Sequence, residues 1–154
     1  MDACKRELGT GRYTNGGRRF FSPSEANGAL VLVRKIVDDI LSDYSRLVDL
    51  QETLQIAQQS GRYDQAEQVG RQITEVVRRV QDFAKELDHV GVSLTDWMLG
   101  MVDFPCAAAG REVVLCWRVG EPEVAYWHES DAECSTRKPL ESLPLHRAEP
   151  AWTI

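Results

Sequence analysis

Residues 21–60 read FSPSEANGALVLVRKIVDDILSDYSRLVDLQETLQIAQQS, and this stretch decides the fold. Ser22-Pro23-Ser24-Glu25 is a capping box: Ser22 at the N-cap, Pro23 at the first helical position, and Glu25 reaching back to the cap. Apolar residues then recur at Leu30, Val33, Val37, Ile40, Tyr44, Leu47 and Leu54 in steps of three and four, with one gap at Gln51. Gln58 continues the register, so the seam turns polar toward its far end. No proline interrupts the stretch, and Gly61 supplies a stop. The pattern predicts a helix over about 23–60, a rod of roughly 55 Å.

A second start follows at once. Asp64 to Glu67 repeats the cap logic, and Ala66, Val69, Ile73, Val76, Val80, Phe83, Leu87 and Val90 keep an unbroken rhythm up to Gly91. A helix over about 65–90 is predicted, and the short link Gly61 to Tyr63 forces the two helices antiparallel. The first helix outruns the second by about ten residues at its N-terminal end, around Pro23 to Val33. That excess has to pack on whatever follows Gly91, while the tip around Gln51 to Gln65 projects. Ile36, Val48, Leu50, Ile56 and Val77 lie partly off the seam, a surplus that dimerisation into a four-helix arrangement would bury.

After Gly91 the period changes. Val102-Asp103-Phe104-Pro105 reads as extended and ended by proline, and Ala107 to Gly110 as a turn. Residues 111–118, REVVLCWR, form a strand pattern; Gly120-Glu121-Pro122 marks a turn, and Val124 to His128 a second strand. A hairpin this short is marginal alone and needs the long helix behind it. The expected fold class is therefore α+β: a long antiparallel two-helix hairpin, coiled-coil-like, packed on a small antiparallel β unit over about 101–130. Residues 20–140 form the domain, 1–19 a flexible basic arm, and 141–154 a loose tail with a terminal Trp152.

Phe21-Ser22-Pro23-Ser24-Glu25-Ala26-Asn27, Val102-Asp103-Phe104-Pro105, Leu115-Cys116-Trp117-Arg118-Val119-Gly120-Glu121 and Trp127-His128-Glu129 together resemble a prokaryotic domain family of unknown function. The resemblance runs from Phe21 to Leu140. In the family's pattern a Gly-Arg pair precedes the closing Pro-Leu; here Ser135-Thr136-Arg137-Lys138-Pro139-Leu140 keeps the arginine and lacks the glycine. The resemblance implies a bacterial protein and brings no activity with it.

Bulk composition narrows the classes. The 154 residues are 43% hydrophobic and 27% charged, as in globular proteins, and carry a net charge of -6. Lys5, Arg6, Arg12, Arg18 and Arg19 against Asp2 and Glu7 leave the first 19 residues at +3, so the remainder sums to -9. An acidic body disfavours nucleic acid as a partner, although the basic arm could touch RNA. No apolar run approaches about 18 residues and no secretory segment opens the chain, so no membrane partner is expected. Cys4, Cys106, Cys116 and Cys134 show no C-x-x-C pair. They read as reduced thiols of a cytoplasmic protein.

The residues with chemical range sit in the β unit. Asp103, Cys116, Trp117, Glu121, Trp127, His128 and Arg137 are candidates to line a ligand groove, with Arg137 able to pair with Glu121 or Asp131. Cys116, His128 and Asp103 are zinc-type donors, but none sits at a helix or knuckle spacing. Strand parity sets a condition: Cys116 and His128 share a face only if the paired residue numbers sum to an even value. A four-residue turn, Val119 to Pro122, pairs Arg118 with Glu123, giving 241 and opposite faces. Cys116 then reads as a small buried residue, the two tryptophans as core, and His128 as a strand-end histidine.

No Ser-His-Asp order, phosphate-binding glycine loop or His-Glu-x-x-His motif appears, so the enzyme reading is open and leans negative. Three readings remain. The first is an interaction or ligand-binding module that dimerises through its helical hairpin, without a cofactor, with a protein or small molecule as further partner. The second is a small metal-dependent enzyme or binder, a divalent metal held by Cys116, His128 and Asp103. The third is a nucleic-acid-associated factor using the basic arm.

Overall fold

The capping box predicted at Ser22 is present in the computed structural model, which describes residues 13–14, 17–18 and 19–144. Glu25 N–H donates to Ser22 Oγ at 3.1 Å and Ser22 N–H to Glu25 Oε1 at 2.9 Å. With two orphan donors satisfied and Pro23 at its start, α1 runs Pro23–Gln59, 37 residues. Gly61 then adopts φ +72, and Arg62 N–H bonds Ala57 O while Gly61 N–H bonds Gln58 O. This is a Schellman turn. It leaves room for no separate cap, which corrects the expected start at Asp64: α2 spans Tyr63–Val90, with Arg62 at its N-cap making no side-chain bond. Gly91, at φ +101, closes α2 by the same motif.

Five strands follow as an antiparallel meander, each paired with the next in chain order. A two-residue pairing of β1 (Tyr13–Thr14) with β2 (Gly17–Arg18) precedes the helices, so part of the expected flexible arm is a backbone hairpin. The main strands are β3 (Ser93–Asp96), β4 (Met101–Ala108), β5 (Arg111–Arg118), β6 (Tyr126–Glu129) and β7 (Lys138–Pro139). The β unit thus extends beyond 101–130 at both ends, through two short edge strands.

Nor does proline end β4. Pro105 pairs with Val114, and its carbonyl accepts from Phe21 N–H at 2.7 Å on the side away from β5. Its missing donor falls where the β3 pairing has stopped, so it costs no ladder bond. Ala109 and Gly110, both at positive φ (53° and 77°), join β4 to β5 as a tight two-residue turn.

The excess N-terminal length of α1 packs on this sheet as expected. Phe21, Ala26, Leu30, Val33, Val37 and Ile40 share one core with Val102, Phe104, Val113, Leu115, Trp117 and Trp127. Phe21 meets Phe104 edge-on, with centroids 5.3 Å apart. Asn27 and Arg34 tie the layers by polar contacts: Val124 N–H donates to Asn27 Oδ1 at 2.7 Å, and Arg34 Nη2 donates to Pro122 O at 2.9 Å.

The tail prediction needs adjustment. Leu143 is buried in the core and Ser142 Oγ accepts from Trp127 Nε1 at 2.9 Å, so the fold holds residues beyond 140. Trp152, Cys4 and most of the basic arm lie outside the described residues. Among the described residues no helix is long and apolar enough to cross a membrane.

Candidate functional site

Register decides which polar residues meet. Val114 pairs with His128 and Cys116 with Tyr126, both summing to 242. The sum is even, not the 241 that a four-residue turn would give, so Cys116 and His128 share a face. The reason lies in the β5–β6 connection. Glu121 N–H closes a turn onto Arg118 O, Gly120 sits at φ +102, and the chain runs on to Val124, where Asn27 holds it before pairing resumes at Tyr126. The link is longer than a four-residue turn because a helix side chain grips it.

On β4, Asp103 is the direct cross-strand partner of Cys116. Asp103, Cys116 and His128 thus occupy three adjacent strands on one face, the face away from the helices. Their potential donor atoms all lie within 4.8 Å of one another. His128 Nε2 is 3.8 Å from Asp103 Oδ1. All three residues are 0% exposed, unusual for an aspartate and a histidine in one cluster. Asp103 is a mid-strand residue and does not organise a turn.

His128 Nδ1 lies 2.7 Å from Glu129 O. A carbonyl can only accept, so Nδ1 carries a proton, and Nε2 is the ring nitrogen that faces Asp103; in the neutral imidazole it is the one that holds the lone pair. Burial pushes the Cys116 thiol up to about 12, aided by the Asp103 charge and opposed by Arg137.

Arg137 comes from the loop before β7. It takes Glu121, not Asp131, as its partner: Nη1 donates to Oε1 at 3.2 Å and Nη2 to Oε2. Its guanidinium also lies 4.2 Å from the Tyr126 ring centroid and 3.9 Å from Cys116 Sγ. Glu121 in turn accepts Arg118 N–H at 2.8 Å. This fork-on-fork pair is bracing at the edge of the cluster.

The two tryptophans belong elsewhere. Trp117 and Trp127 project into the helix-facing core, with Trp117 Nε1 donating to Glu121 O at 3.0 Å. The seven candidates therefore do not line one groove. Trp117 and Glu121 instead help line a separate groove of about 400 Å³, walled by Arg34, Asp38 and the 119–122 turn. Of the cysteines, Cys106 and Cys116 are buried free thiols on opposite faces of the sheet, so they do not form a pair. Sequence spacing alone could not have joined Asp103 to His128, 25 residues away, because the link is made through β5.

A helical hairpin seated on one face of a five-stranded antiparallel meander, with an Asp-Cys-His cluster on the other face, defines the class of this protein by its architecture. Comparison then supplies the family. The chain belongs to the family described as uncharacterized conserved protein (DUF2203), whose family model matches residues 19–140. No curated protein and no solved structure matches the chain.

Proposed function

We propose that this chain is a non-catalytic interaction module that pairs with a second copy of itself through the projecting half of its helical hairpin. The observation that carries this reading is a contrast along α1. Up to Ile40 the seam residues are buried against α2 and the sheet; beyond it the seam residues Leu47 and Leu54 are only half-buried and Tyr44 is exposed, with Val48 and Ile56 beside them 50% and 53% exposed. Of the residues expected to lie off the seam, Ile36 is buried in the core, Leu50 and Val77 are half-buried, and Val48 and Ile56 are left over. Tyr63 at the tip is 72% exposed. Two helices bury one stripe each, and a second pair covers the flanks of that stripe.

Charge favours a second copy as the occupant. Between residues 41 and 80 there are six acidic and five basic side chains, a net of -1 out of -6 for the whole chain. The rod is therefore close to neutral with both signs interspersed, whereas the body carries the acidic excess. An antiparallel overlap of two rods keeps the two acidic bodies at opposite ends, under a two-fold that makes the contact self-complementary. At the root of the rod the buried Asp43 pairs with Arg79 at 3.1 Å, which holds α1 on α2 in register.

Sedimentation velocity over a dilution series tests this reading. The wild-type chain should sediment as a dimer that dissociates on dilution, and Val48→Glu/Ile56→Glu should be monomeric throughout with unchanged helix content. A wild-type monomer at about 100 μM, weaker than specific protein pairs of ordinary affinity, would overturn it.

A further inference from the structure

The cluster on the outer sheet face has the chemistry of a metal centre, and this inference stands independently of the hairpin. We propose that Asp103, Cys116 and His128 bind one divalent transition-metal ion of the zinc type, through a carboxylate oxygen, Sγ and Nε2. The three strands place the donors without help from any loop: Asp103 and Cys116 are a cross-strand pair, and His128 stands diagonally across from Cys116 on the next strand. Tetrahedral zinc with bonds of about 2.0–2.3 Å holds its donors about 3.3–3.8 Å apart. The observed 3.8 Å between Nε2 and Oδ1, and the 4.8 Å limit on the whole set, need only a small contraction to match.

The outer contacts fit the same role. A ligating histidine is ordinarily oriented by a hydrogen bond from its other ring nitrogen, and here the His128 Nδ1 proton goes to Glu129 O at 2.7 Å. Arg137, fixed by Glu121 and stacked on Tyr126, points Nη1 at Cys116 Sγ from 3.9 Å and so favours the thiolate.

Charge decides the rest. A divalent ion, one thiolate, one carboxylate and one neutral imidazole sum to zero, the least costly state for a fully buried set. Binding breaks the Cys116 S–H bond, forms a metal–sulfur bond, and releases one proton to solvent. The three donors found among the described residues leave one further position of a tetrahedral set. Sulfur and imidazole together select zinc-like ions over magnesium and calcium, which take oxygen ligands.

The full-length chain, purified without affinity metals, is assayed for zinc by elemental mass spectrometry. It is then stripped with a chelator and titrated with cobalt(II). The expected results are near one zinc per chain, a chelator-induced drop in melting temperature reversed by zinc but not magnesium, and a sulfur-to-cobalt charge-transfer band. The band should vanish in Cys116→Ser and persist in Cys106→Ser, and zinc content should fall at least tenfold in His128→Ala. Should these variants fail to fold, the wild-type titration still decides. Less than about a tenth of an equivalent of zinc, with no cobalt band in a folded wild-type chain, would overturn the proposal and leave a buried Asp-His pair beside a packing thiol.

Discussion

The two halves of the α1–α2 hairpin carry nearly the same sequence rhythm and have different physical lives. From Ala26 to Ile40 the apolar stripe of α1 is buried between α2 and the sheet; from Leu41 to Gln59 only Asp43 and Ala57 are buried. Periodicity therefore reports that a helix has a face. It does not report how much that face will bury, because burial depends on what the rest of the chain brings to it. The sheet reaches only the proximal half. The distal half rests on a two-helix seam whose buried members in α2 are Ala66, Val69 and Val76, small or β-branched residues that bury little area each.

The contrast can be broken or sharpened by substitution, with stability measured by urea unfolding at concentrations low enough to hold the chain monomeric. The largest loss is expected at Phe104, fully buried against Phe21: Phe104→Ala should cost about 3–5 kcal/mol through lost burial and a cavity. Next comes Asn27, whose amide bonds the Val124 backbone; Asn27→Ala leaves that buried N–H without its partner and should cost about 1–3 kcal/mol.

Alkaline pH gives a third handle on the compact half. Burial, with a smaller contribution from the Glu25 charge, pushes the Cys106 thiol up to about 12 from an ordinary value of 9.0. The folded chain therefore keeps its proton after the unfolded chain has released it. That stability is fully present below pH 9 and is lost as pH rises toward 12. The loss should amount to about 1 kcal/mol by pH 10, and the curve should be flatter in Cys106→Ala.

The smallest effects belong to exposed positions. Val48→Ala, on the rod, should change monomer stability by no more than about 0.5 kcal/mol, and a loss near that of Phe104→Ala would erase the contrast. Ala109→Gly should stabilise by about 0.5 kcal/mol, since its φ of +53 strains any residue with a Cβ.

How much of this was legible beforehand follows from range. The capping box, the two helices and the antiparallel hairpin rest on contacts between neighbours three and four residues apart, and these read directly from residues 22–91. Strands β4 and β5 were legible from their β-branched and aromatic runs, apart from the passage of β4 through Pro105. The short edges Ser93–Asp96 and Lys138–Pro139 carry no pattern of their own and exist because a neighbour offers a ladder.

The site was half legible. Asp103, Cys116 and His128 stood out as residue types, but their meeting depended on the parity of one pairing. That parity is set by the length of the 119–125 connection, which Asn27 and Arg34 hold from 97 and 88 residues away. No local signal contains it. Arg137 likewise reaches the cluster only because β7 pairs with β6.

The most direct test of the account is hydrogen exchange read by mass spectrometry at two protein concentrations, one below and one above the expected dimer dissociation. The proximal core, residues 26–40 and 101–118, should be strongly protected and indifferent to concentration. Residues 44–75 should exchange orders of magnitude faster at the lower concentration and gain protection at the higher one. Equal protection of both halves at both concentrations would contradict the division of the hairpin and the self-pairing proposed for its free half.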